Sequence, residues 1–112
     1  MVSQRSFNNL VILLTNEANS RVANDLAKEI LNRRLAACVN LREVSSHFWW
    51  DGEIQQSNEV QLFIKTTKDQ LQNLIKTLES LHSYQTPELL FWNASASDAY
   101  FNWVEAESSI SS

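Results

Sequence analysis

The chain has 112 residues, 44% of them hydrophobic, with 13 acidic and 9 basic side chains and a net charge of −4. That length fits one domain, and the apolar share is enough for a real core, which excludes a globally disordered chain. The acidic balance argues against a nucleic-acid binder, which needs a basic surface, and a lone cysteine, Cys38, rules out an internal disulfide.

Met1 to Arg5 carry one charge and lead straight into an apolar run, unlike a secretory signal. No run approaches the roughly 20 apolar residues of a membrane span. A cytoplasmic chain with no membrane segment is the expectation. Leu10-Val11-Ile12-Leu13-Leu14-Thr15 is apolar on successive residues, the pattern of a strand buried on both faces. Asn19 or Ser20 can cap the helix that follows, whose inner stripe is Val22, Leu26 and Ile30 with Ala23, Ala27 and Leu31 beside them. Arg33-Arg34 places positive charge near its C-terminal end, where the helix dipole favours it.

Cys38 to Trp50 reads as a long strand and Ile54 to Thr66 as its hairpin partner. Asp51-Gly52 between them carries the one glycine of the chain and fits a type I′ turn, which needs positive φ at both central residues. Alternation puts Val60, Leu62 and Ile64 on one face and Gln61, Phe63 and Lys65 on the other. Thr67 with Gln70 three residues on fits a capping box, and Leu71, Leu74, Ile75, Leu78 and Leu81 form the stripe of a second helix. Pro87 stops that helix, Leu89 to Asn93 reads as a fourth strand, and Ser97 or Asp98 can cap a short last helix carrying Tyr100, Trp103 and Val104. Residues 1–7 and the serine-rich end from Ser108 are expected to be loose ends of a single 1–112 domain.

This order predicts an α+β fold, a ferredoxin-like βαββαβ split sandwich with an extra C-terminal helix and a long hairpin between its second and third strands. Right-handed crossovers put both main helices on one face of the sheet. The first strand and Phe63 then present apolar surface on the other face, and Phe48, Trp49 and Trp50 add more near the hairpin tip. Monomers avoid patches of that size, so a partner subunit is expected to cover it.

Three stretches stand out: Arg34-Leu35-Ala36-Ala37-Cys38-Val39-Asn40, then Trp50-Asp51-Gly52 with Glu59 to Thr66, then His82-Ser83-Tyr84-Gln85-Thr86-Pro87-Glu88-Leu89. In this order and spacing the chain resembles the CutA1 family of divalent-cation tolerance proteins, from about Leu10 to Val104. The resemblance implies a tight homotrimer whose hairpins reach into neighbouring subunits, similar in shape to PII signalling trimers, and no established catalytic reaction. It implies tolerance of copper and other divalent metals in bacterial members and anchoring of membrane-bound enzymes in animal ones. Copper binding in bacterial relatives is attributed to a cysteine at the end of the first strand and to paired histidines before the Tyr-Gln-Thr-Pro-Glu segment. Here Leu14 replaces the cysteine, the histidine pair reads Leu81-His82, and Ser95-Ala96-Ser97 stands where a glycine is usual.

His82 is therefore the remaining candidate ligand for Cu2+ or another divalent cation; its alternative is an imidazole at a helix C-terminus, favoured there when protonated. Cys38 is a soft ligand by chemistry but sits among small apolar residues, where free cysteines are usually buried. Trp49 and Trp50 supply interface area more readily than a stacking platform. Glu59, Lys65, Tyr84, Glu88 and Trp50 are candidates for an inter-subunit cleft, with Lys65 seeking a small anionic ligand and Tyr84 donating a hydrogen bond. The same polar groups equally suit an interfacial network that fixes sheet register. No glycine-rich phosphate loop, Cys-x-x-Cys or His-Glu-x-x-His is present, and Ser45, Ser46 and His47 alternate across a strand. The expected function is a non-enzymatic homotrimer in divalent-metal tolerance. The alternatives are a PII-like sensor with a small ligand in its cleft, or a scaffold for an unknown protein partner.

Overall fold

Seven elements follow one another as β1 (Asn8–Glu17), α1 (Ser20–Asn32), β2 (Cys38–Trp50), β3 (Glu53–Thr66), α2 (Lys68–Leu81), β4 (Leu90–Ala96) and α3 (Asp98–Glu107). They are seen in a computed structural model that describes residues 8–109. The strands form one antiparallel sheet in the order β2-β3-β1-β4, the expected split-sandwich arrangement with α3 added. β1 lies inside the sheet, with Leu14 opposite Phe63 on one side and Leu90 on the other.

Alternation along the strands divides the sheet into two faces. Leu13, Val60, Leu62 and Ile64 point towards α1 and α2, and pack with Ala23, Leu26, Ala27, Ile30, Leu74 and Leu78 into the main core. Leu10, Ile12, Leu14, Phe63 and Trp92 share the opposite face by register. There Phe63 and Trp92 meet edge-on with centroids 5.9 Å apart. α3 covers part of this face: Lys65 Nζ stands 5.9 Å from the centre of the Tyr100 ring, and Leu10 and Ile12 are buried.

β1 stays paired with β3 only as far as Glu17↔Val60, whereas β2 and β3 stay paired to Trp50↔Glu53. Among the described residues the outer hairpin is thus a two-stranded ribbon with no third strand. It stretches the molecule to 57 × 35 × 21 Å and its radius of gyration to 15.8 Å, above the roughly 13 Å of a compact chain this long.

Local signals hold at most joints. Asn19 caps α1, its side chain accepting from Val22 N at 3.0 Å, and Ser97 caps α3, accepting from Tyr100 N at 3.3 Å. Asp51 (φ 53°) and Gly52 (φ 76°) make the type I′ turn. Three expectations need correction. Thr67 is the α2 N-cap but its side chain makes no capping bond; Gln70 instead donates from Nε2 to Ser108 O at 2.8 Å, a longer-range partner that wins over the local box. That bond, with Ser108 Oγ donating to Val104 O, buries Ser108 rather than leaving it loose; residues 1–7 and 110–112 lie outside the described residues. Arg33 and Arg34 stand near the C-terminal end of α1 as expected, as its C-cap and the residue after it. Arg34 takes a left-handed conformation (φ 58°) while its N–H bonds Leu31 O and that of Leu35 bonds Ile30 O, and this Schellman turn ends the helix. Leu31 and Leu81, at the last turns of their helices, are exposed, at 37% and 40%.

A Cβ added at Gly52 meets nothing within 4 Å, so only backbone strain opposes a side chain there. Gly52→Ala is expected to destabilise by about 1 kcal/mol, the cost of a left-handed L-residue. Urea unfolding at fixed protein concentration reads it as a lower midpoint with an unchanged slope.

Candidate functional site: the polar end of β1

β1 changes character at Thr15. The period of two carries Thr15 and Glu17 onto the helix face and Asn16 onto the other, and all three are buried. The segment after α2 closes over them. His82 is the C-cap of α2, its N–H bonding Leu78 O at 2.9 Å, and its extended ψ of 142° turns the chain back across the end of β1.

Four residues of this segment grip the sheet. His82 Nε2 lies 3.0 Å from Thr15 Oγ1, and His82 Nδ1 lies 3.0 Å from Tyr84 N. A backbone N–H can only donate, so Nδ1 accepts and carries no proton. The proton sits on Nε2, which donates to Thr15. The imidazole is neutral and fully buried. Glu17 Oε2 is 3.6 Å from Nδ1, too far for a hydrogen bond. Its carboxylate instead accepts from Ser83 N at 3.1 Å, from Ser83 Oγ and from Ala18 N at 3.2 Å. Tyr84 Oη donates to Glu59 Oε2 at 2.6 Å, and Asn16 Nδ2 donates to Glu88 Oε1 at 3.2 Å. Asn16 Oδ1 is buried without a partner among the described residues.

Burial, reinforced by the hydrogen bond and charge of Glu59, pushes the Tyr84 phenol well above the ordinary tyrosine value. Tyr84 is therefore a donor throughout the neutral range.

The candidate residues do not all converge in one chain. His82, Tyr84, Glu59 and Glu88 meet at the β1 end. Lys65 stands six residues from Glu59 along β3, roughly 20 Å at about 3.4 Å per residue. Its ammonium is turned to Tyr100, and Cys38 is its cross-strand neighbour. Trp50 is at the hairpin tip, 69% exposed. Lys65 and Tyr84 thus cannot hold one small anion within a single chain.

The donors do not fit a copper ion in this conformation. Both nitrogens of His82 are in use, Leu14 and Leu81 cannot ligate, and among the described residues no three His, Cys, Asp or Glu side chains group to hold a metal. The alternative placed His82 at a helix C-terminus, and it does stand there, as the C-cap of α2.

The fold and the 82–89 segment now agree with a direct comparison. A family model described as CutA1 divalent ion tolerance protein matches residues 11–107. The chain belongs to the CutA1 family. The divalent-cation tolerance protein CutA of Escherichia coli O139:H28 is 38% identical over 109 residues, spanning 95% of this chain and 97% of that one. CutA from Synechococcus elongatus superimposes with a TM-score of 0.88 at 36% identity, covering 91% of this chain and 92% of its own. CutA1 from Ehrlichia chaffeensis does so with a TM-score of 0.87 at 26% identity, covering 94% and 100%.

In this CutA1 chain, sequence reasoning missed Thr15, Asn16, Glu17 and Ser83. One signal was available. Extending the β1 alternation past Thr15 puts Glu17 on the helix face, where a carboxylate needs donors, and the turn after α2 is the nearest source.

Tyr84 has a raised folded-state value, so its contribution to stability is complete below the unfolded tyrosine value of about 10 and is lost as pH rises through the folded one. Tyrosinate absorbance is expected to show one phenol resisting ionisation about one pH unit above that ordinary value of ~10. Glu59→Gln should lower that phenol's midpoint, leaving burial and the charge of Glu17 as the remaining causes. An unchanged titration would remove Glu59 from the account.

Proposed function

We propose that this chain acts in tolerance of divalent cations as a homotrimer, without catalysis, and that copper is the first cation to test. The family membership supports the role. The observation that carries the assembly is the fate of the tryptophans. All four are open to solvent in the single chain: Trp49 is 72% exposed, Trp50 69%, Trp103 46% and Trp92 43%. Large aromatics bury about 150–250 Å² each, and a specific interface takes about 800 Å² per partner. These four with Phe48, Ile54, Leu90 and Phe91, also exposed, supply that area. An isolated two-stranded ribbon is marginal in water, so the outer hairpin also needs a neighbour.

The metal response then belongs to the assembly rather than to a chelating site on one chain. A small anionic ligand is a poorer match for the β1 end, where Glu17, Glu59 and Glu88 gather.

Light scattering is expected to report three times the 12.9 kDa of one chain. A lone-chain mass at micromolar concentration would overturn the assembly. Trp49→Glu with Trp50→Glu is expected to give a smaller particle and to fail to restore copper tolerance to cells lacking the protein, while wild type restores it. Full rescue by a monomeric double variant would separate the role from the trimer and reject the proposal.

A further inference from the structure

Away from the end of β1, a second polar region lies where the first turn of α2 meets the last turn of α3. Gln70 Nε2 donates to Ser108 O at 2.8 Å, and Ser108 Oγ donates to Val104 O. Both bonds are buried, so the two helix ends are fixed against each other. Beside them opens a cavity of about 430 Å3, whose polar lining includes Thr67, Asp69, Asn102 and Glu105. Asn102 and Glu105 are three residues apart on α3 and so share one helix face. Among the described residues no lysine, arginine, histidine or cysteine lines the cavity.

Thr67 marks this cavity as more than a gap between charged side chains. It is the N-cap of α2, where a threonine ordinarily accepts from an amide of the first turn. Its hydroxyl makes no such bond and has no other partner among the described residues, although the residue is only 7% exposed. The one unbonded side-chain atom sealed from solvent is Asn16 Oδ1, so the Thr67 oxygen opens onto the cavity that its residue lines. The side chains of Asp69, Asn102 and Glu105 likewise make no ion pair or hydrogen bond among the described residues. Four unbonded oxygen-bearing side chains therefore border one space, with two negative charges and no positive one.

We propose that this cavity binds a hard divalent cation such as Mg2+, which keeps part of its water shell, through Asp69, Glu105, Asn102 and Thr67. Every donor is an oxygen, the ligand that Mg2+ and Ca2+ take, and no imidazole or thiolate is on offer to a softer metal. The space far exceeds a bare ion. Mg2+ gives up water reluctantly and is usually held by one or two carboxylates with several waters kept. Those waters donate to the open oxygens of Thr67 and Asn102. The helix dipoles permit the charge: the C-terminal end of α3 is negative and has no basic residue in its last turn, while Asp69 offsets the positive end of α2. Arg34 is held by Glu107 at 2.9 Å and does not line the cavity. Two carboxylates fall short of the three-residue group that the described residues lack, so the binding is weak, with a Kd of about 1 mM. An ion here ties α3, which covers part of the open sheet face, to α2. The site is separate from the copper response proposed above and stands or falls without it.

Amide nitrogen-15 spectra of the full chain test this, with Mg2+ raised to about 20 mM against NaCl at equal ionic strength. The amides of residues 67–70 and 102–109 are expected to move along one saturating curve with Mg2+ and to stay in place with NaCl. Asp69→Asn with Glu105→Gln should weaken binding about tenfold or more, and both side chains are exposed, so the fold is kept. Thr67→Val keeps the size of the side chain and removes the hydroxyl. It should weaken binding roughly threefold or more, whereas a mere pair of surface carboxylates would be indifferent to it. Should Thr67→Val not fold, Mn2+ on the wild-type chain gives a second reading, because its unpaired electrons should broaden the Thr67 and Asn102 amides ahead of all others. Shifts reproduced by NaCl, equal binding of putrescine, undiminished affinity in either variant, or manganese broadening centred on Glu17, Glu59 and Glu88 instead would each overturn the cation site.

Discussion

A strand that is apolar on both faces must be covered on both faces, and most of this molecule follows from that demand on β1. α1 and α2 cover the face that carries Leu13. α3 reaches the other face only near Lys65 and Tyr100, so Leu10 and Ile12 are buried while Leu14, Phe63 and Trp92 keep contact with solvent. A fully buried Leu or Phe side chain contributes about 1.5–3 kcal/mol. The half-covered face is therefore a standing driving force for association, and it lies beside a hairpin that has outrun its own sheet.

The polar end of β1 answers a different constraint. Thr15, Asn16 and Glu17 are carried into buried positions by the same alternation that buries Leu13, and buried polar groups cost free energy unless bonded. The 82–88 segment supplies the partners. Its tight return from α2 follows from His82 leaving the helical conformation while still capping Leu78 O. The histidine that looks like a metal ligand in the sequence is thus fully spent on holding a turn. Leu14 and Leu81 fit the same account, since apolar side chains at those positions leave the ring no ligand companions.

The architecture was legible in the sequence because its signals are local and periodic. The Asp51-Gly52 turn, the alternation around Leu62 and the stripe around Leu74 each follow from neighbours within one element. What was not legible depends on pairings distant along the chain. Gln70 abandons the capping box for Ser108, 38 residues away, and Glu17 finds Ser83 across 66. No local pattern specifies either bond. The candidate cluster was half visible: Tyr84, Glu59 and Glu88 stood out, whereas Lys65 shared their motifs but sits far along β3, because spacing in sequence does not report distance along a 14-residue strand.

The clamp of the 82–88 segment and the open hairpin are mechanically adjacent. β1 supports β3 only as far as Val60, opposite Glu17. Glu59 is the next residue outward, the first on β3 without a β1 neighbour, and it is the residue that Tyr84 grips. The clamp on Glu17 and the grip on Glu59 therefore straddle the joint where a supported sheet becomes an unsupported ribbon. Whatever orders Tyr84 also steadies the root of the hairpin, and whatever seats the hairpin restrains Glu59. Coupling between the two needs no wire through the core, because they share two consecutive residues of one strand.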